Sequence, residues 1–134
     1  MPTVLKLIGD YNADIVLRVL NVKPYEINRK GEINKRKDKK PYESTTCKFD
    51  VSELGFDKIE EQIEDAIDFL SKNYVELKEL TKMKSIKRCI DLGIDSEFRN
   101  ENNLSIQLSI PPKLMKLMGD LEMELIVTQY WLDR

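Results

Sequence analysis

Between residues 59 and 94 the apolar side chains change period, and that change limits the folds open to the chain. Ile59, Ile63, Ala66, Ile67, Leu70, Tyr74, Leu77 and Leu80 recur at steps of three or four residues, which lines them up along one stripe of an α-helix. Asp57-Lys58-Ile59-Glu60 opens the run with the pattern of a capping box, an N-cap oxygen followed three residues later by a glutamate. One helix from Asp57 to about Thr81 is expected. From Ile86 the period becomes two. Ile86, Ile90, Leu92 and Ile94 alternate with Lys87, Cys89, Asp91 and Asp95, and Leu104, Ile106, Leu108 and Ile110 alternate with Ser105, Gln107 and Ser109. Alternation of this kind predicts strands with one face in the core and one toward solvent. Arg99-Asn100-Glu101-Asn102-Asn103 between them reads as a hairpin loop.

The flanking segments fill in the same class. Val4 to Ile8 is a short β-branched apolar run closed by Gly9-Asp10, as a strand would be. Asn12 is placed to cap a short helix from Ala13 to about Asn21, and Pro24 ends that element. Residues 25–43 are polar and predict an exposed basic loop or a frayed hairpin, and Tyr42 to Val51 then suits a strand. Pro111 and Pro112 open a short helix at positions where proline loses no hydrogen bond, with Leu114, Leu117, Met118 and Leu121 facing inward. Met123 to Trp131 is a last strand, apolar enough for a central place or for cover on both faces. Trp131 then reads as a core anchor and Tyr130 as an edge residue, whereas an exposed Tyr-Trp pair would mark an interface. The order is β-α-β-α-β-β-α-β. It predicts a single α+β domain over residues 1–134, a mainly antiparallel sheet with helices packed on one face.

Composition bears mainly on chemistry. The chain of 134 residues contains no histidine, so the commonest general base is missing, and with it the usual partner of a nucleophilic serine or cysteine. Two cysteines are too few for a four-cysteine metal site, and the five glycines form no phosphate-binding loop. No catalytic residue, metal or cofactor is expected. No apolar run approaches the ~20 residues that span a bilayer, and the first residues lack the pattern of a secretory signal. A cytoplasmic protein is expected, with Cys47 and Cys89 as reduced, buried thiols.

Two charged segments are the candidate sites. Arg29, Lys30, Lys35, Arg36, Lys37, Lys39 and Lys40, with two acids among them, give residues 29–40 a net charge of +5. Such a segment could contact phosphates in a salt-sensitive manner, with Tyr25 and Tyr42 beside it for stacking. It could equally meet an acidic protein partner, and it also reads as a solvated loop. Residues 57–80 carry −5, and Glu61, Glu64, Asp65 and Asp68 fall on one stripe. That stripe could hold Mg²⁺, act as an acid/base pair or meet a basic partner by mimicking phosphates, and its plainest reading is a solvated helix face.

In order of motifs the chain resembles a bacterial domain-of-unknown-function family, number 4279, over almost its full length. The resemblance rests on Leu5-Lys6-Leu7-Ile8-Gly9-Asp10, on Ile15 to Val22 with Pro24, and on Lys30-Gly31-Glu32. The long helix at 57–80, the run Leu104 to Ser109 and the closing Leu114, Leu117, Leu121 and Glu124-Leu125-Ile126-Val127 follow in the family's order. Family members often carry tryptophans near the places where Asn28 and Cys47 stand here, so a pocket built from those rings would be missing from this chain. The resemblance implies a small α+β domain with no established enzymatic activity. A non-catalytic protein-binding module follows as the leading expectation, a small bacterial or phage immunity protein or inhibitor that masks a toxin or nuclease. The alternative is a nucleic-acid or phosphate-ligand binder acting through residues 29–40.

Overall fold

A computed structural model describes residues 2–36, 39–95 and 107–130. Its elements are β1 (Thr3–Gly9), α1 (Ala13–Val19), β2 (Glu26–Asn28), β3 (Thr45–Ser52), α2 (Ile59–Lys72), α3 (Tyr74–Leu80), β4 (Ile86–Asp95), α4 (Pro112–Asp120) and β5 (Met123–Tyr130). The strands form one sheet in the order β2-β3-β1-β4-β5. β1 runs antiparallel to both β3 and β4, and β2 antiparallel to β3, whereas β5 runs parallel to β4. The predicted α+β class is the observed one, mostly antiparallel and with the helices packed against the sheet.

Alternation along the strands divides the sheet into two unlike faces. Leu5 and Leu7 of β1, Cys47 and Phe49 of β3, and Ile90, Leu92 and Ile94 of β4 join one buried cluster with Val16, Ile63, Ala66, Leu70, Leu77, Leu114 and Met118 of the helices. The opposite face mixes the buried Val4 and Cys89 with charged and hydroxyl side chains. Lys6 Nζ lies 2.9 Å from Asp91 Oδ2, and the Thr128 hydroxyl donates to Asp91 Oδ1 at 2.7 Å. In the helix layer the Asn12 side chain caps α1 as predicted, accepting from Asp14 N at 3.0 Å. The buried Gln62 of α2 accepts from the Thr3 hydroxyl at 2.6 Å and donates to the Gly55 and Gly93 carbonyls at 3.0 and 3.1 Å. A fully buried amide is tolerated because its polar atoms are bonded.

Several expectations need correction. The long helix is two, divided at Asn73. Asn73 N and Nδ2 both donate to Phe69 O, at 3.1 and 2.9 Å, and an asparagine amide competes in this way with the helical ladder. The capping box does not form. Lys58 occupies the N-cap and makes no side-chain bond there. The Asp57 carboxylate lies instead over Gly55, where a Cβ would stand 2.6 Å from its Oδ1.

Over the described residues, the hairpin predicted from 86–94 and 104–110 does not form. Over Arg88–Leu92 β4 already has β1 on one side and β5 on the other. Residues 107–110 are not in a strand, and 96–106, with the predicted loop, lie outside the described residues. β4 also lacks the predicted solvated face, since Cys89, Asp91 and Asp95 are buried and only Lys87 of the strand is exposed. Gly93 contributes to this cover. A Cβ there would stand 2.6 Å from Pro2 O, 2.9 Å from Phe56 and 3.0 Å from Tyr130, so the missing side chain admits the Phe56 and Tyr130 rings, whose centroids are 5.0 Å apart. Finally, β5 is the last strand of the sheet order, with mostly exposed and half-buried residues, where a central or doubly covered strand was predicted. Tyr130 stands on it; Trp131 lies outside the described residues.

Candidate functional site

The two charged segments behave differently once folded. α2 buries Ile59, Gln62, Ile63, Ala66 and Leu70, which turns Glu61, Glu64 and Asp68 outward along its exposed side. Glu60 and Glu61 occupy the first turn, where carboxylates suit the helix dipole. Asp65 is half-buried and belongs partly to the fold, since its Oδ2 accepts from the Ser52 hydroxyl at 2.7 Å at the end of β3. Asp65 and Asp68 border a shallow cleft of about 340 Å³ floored by Val22, Val51 and Phe69. None of the ion pairs among the described residues uses Glu61, Glu64, Asp65 or Asp68.

The basic segment is hairpin-like. Gly31 N donates to Tyr42 O at 3.0 Å, Tyr42 N to Glu32 O at 2.9 Å and Asn34 N to Lys40 O at 2.9 Å, with an antiparallel bridge between Ile33 and Pro41. Gly31 takes φ +90°, a conformation open to glycine at little cost. Much of the positive charge is matched inside the molecule. Arg29 pairs with Asp14 at 3.0 Å and Glu32 at 4.0 Å, Lys30 with Asp10 at 3.1 Å, and Arg36 with Glu26 at 3.3 Å. Lys35, Lys39 and Lys40 are exposed, and Lys37 lies outside the described residues. Three of the six described cations of the segment are therefore engaged by acids of the same chain, which lowers the charge it can offer a polyanion.

Sequence reasoning missed Glu26. Its carboxylate accepts from Lys48 Nζ at 2.7 Å, from Arg36, and from Asn28 Nδ2 at 3.4 Å. The Lys48 bond, against the opposing effect of burial, holds it below the usual carboxylate range. The signal was weak, because Glu26 and Lys48 are 22 positions apart and meet only when β2 pairs with β3. Lys6 was also passed over, although it stands alone among the apolar residues of β1. Burial pushes its ammonium down, but the Asp91 hydrogen bond and charge outweigh that, and the net shift is upward.

The two cysteines are buried and free. Burial raises both thiols above their ordinary range, so neither is an activated nucleophile. Among the described residues no three Cys, Asp or Glu side chains are grouped as metal ligands, and no helix is long and apolar enough to cross a membrane.

A family model described as "Domain of unknown function (DUF4279)" matches residues 3–132. No curated protein and no solved structure matches the chain.

Proposed function

We propose that this chain, which belongs to the DUF4279 family, is a non-catalytic protein-binding module whose acidic α2 face docks on a basic partner. The partner class is a toxin or nuclease whose nucleic-acid-binding surface the module masks, as an immunity protein or inhibitor acting in a bacterial cytoplasm. One observation carries this reading. Arg29, Lys30 and Arg36 are engaged by acids of the same chain, while Glu61, Glu64 and Asp68 stand exposed without an ion-pair partner among the described residues. Unmatched carboxylates on a rigid helix repel phosphate and attract the surface that phosphate would occupy, which favours fast and selective encounter. Nucleic-acid binding through residues 29–40 is the weaker reading, because internal pairing reduces the charge available for counterion release.

The test is co-expression with the product of the neighbouring gene. The module should bind that product and relieve its toxicity. The triple variant Glu61→Lys, Glu64→Lys, Asp68→Lys should weaken binding by roughly 100-fold or more, on the scale of close charge pairs at interfaces, with an unchanged melting temperature. A neighbour that neither binds nor harms cells, or a triple variant that protects as well as the parent, overturns the proposal. Affinity for DNA or RNA that falls steeply with salt and survives the triple variant would favour the weaker reading instead.

A further inference from the structure

A second site lies away from α2, between β2 and the 29–42 hairpin. A cavity of about 400 Å³ opens there, lined by Glu26, Asn28, Asn34, Arg36, Tyr42 and Lys48, with Ile27 beside them. That volume is within the range of small-molecule sites. Two cations share one carboxylate in it, so the cavity carries one positive charge in surplus. The two contacts are unequal. Lys48 holds Glu26 at 2.7 Å from a largely covered position, with 30% of its side chain exposed. Arg36 reaches it at 3.3 Å with 85% exposed, and an exposed pair of that kind is readily exchanged.

From this arrangement we propose that the cavity binds a small organic anion, a carboxylate or a phosphate monoester, whose charged head pairs with Arg36. A guanidinium offers two parallel N–H groups to either head. The Glu26–Lys48 pair forms a fixed wall. Asn34 Oδ1 is occupied in accepting from Arg36 N at 3.0 Å, which leaves the Asn34 amide N–H groups as donors toward the ligand. The Tyr42 ring supplies apolar surface for the body of the molecule.

NMR titration of the full chain at constant ionic strength tests this, with benzoate, phenyl phosphate and the neutral benzamide as probes. Saturable shifts at Asn28, Asn34, Arg36 and Lys48 are expected with at least one of the two anions and not with benzamide, and the tighter anion identifies the preferred head group. Arg36→Gln should weaken that binding about tenfold or more. Because Arg36 is exposed, this change leaves the fold intact. Glu26→Gln should strengthen it severalfold by removing the competing carboxylate. Equal response to benzamide, non-saturating shifts with both anions, or unchanged affinity in Arg36→Gln overturns the proposal. The α2 charge reversal should leave this titration unaltered.

Discussion

Asp50, on the polar face of β3, has a buried carboxylate oxygen, Oδ1, with no hydrogen-bond partner among the described residues. Burial, followed by the hydrogen bond and negative charge of Glu53, pushes its carboxyl up to about 6. An aspartate raised in the folded state favours the protonated form there, so its stabilising contribution is complete below the ordinary carboxylate range. That contribution is lost as pH rises through about 6. Asp50→Asn keeps the shape and removes the charge. The variant should melt a few degrees above the parent at pH 7.5, on the order of 2–4 °C, and level with it near pH 4. Thermal denaturation at the two pH values decides it, and a variant that melts lower at pH 7.5 would refute the assignment. None of this was legible in the sequence. Asp50 is one acid among 24, and its environment depends on β3 pairing with β1, where Asp50 faces Val4.

At the scale of elements, Arg88 joins pieces that local sequence does not connect. It occupies the helix-facing side of β4, where the alternation of Ile86, Ile90, Leu92 and Ile94 skips one place. The skip was visible; its use was not. Arg88 Nε donates to Leu121 O at 3.2 Å, and its Nη1 to Ile86 O at 3.0 Å and Leu80 O at 3.5 Å. The guanidinium therefore meets carbonyls where α3 and α4 end, groups that a helix terminus leaves without partners. Arg88→Met retains length and apolar contact but leaves those carbonyls short of donors. It should lower unfolding stability by about 3 kcal/mol, read as a shifted urea midpoint at unchanged slope. A loss below ~1 kcal/mol would mean that water replaces the guanidinium there. Helix existence was legible for a related reason. The three-to-four spacing in 59–80 reports a buried face directly, and Asn12 caps α1 by local chemistry. The break at Asn73 was hidden because Tyr74, Leu77 and Leu80 keep the spacing on its far side.

For the whole molecule, local composition and alternation identified β1, β3, β4 and β5 as strands but not their neighbours in space. A parallel β4–β5 pair needs a crossover connection, and α4 lies between the two strands in the chain. Nothing in the alternation of Met123 to Tyr130 distinguishes that arrangement from a hairpin. The acidic stripe could be read from helical spacing, whereas the pairing of Arg29, Lys30 and Arg36 with Asp14, Asp10 and Glu26 required the fold. The sheet order sets a gradient of local stability. β1 is bonded on both sides along its length, from Thr3 to Gly9, and its Leu5 and Leu7 are fully buried. β2 has three residues, and the 29–42 hairpin beyond it exposes Ile33 by 59%. Opening the sheet at β1 breaks two ladders and uncovers the core, whereas the hairpin can open with little apolar surface released. In native-state hydrogen exchange, the amides of Leu5, Leu7 and Ile90 should be the slowest and approach the global unfolding free energy. Those of Gly31, Asn34 and Tyr42 should exchange at least about 100-fold faster, a difference of roughly 2.7 kcal/mol in opening free energy. Mass spectrometry of exchanged peptides reads both sets in one experiment. Hairpin protection equal to that of β1 would show that residues 29–42 unfold with the core, and the weak Arg36–Glu26 contact would then belong to a rigid wall and not to an exchangeable arm.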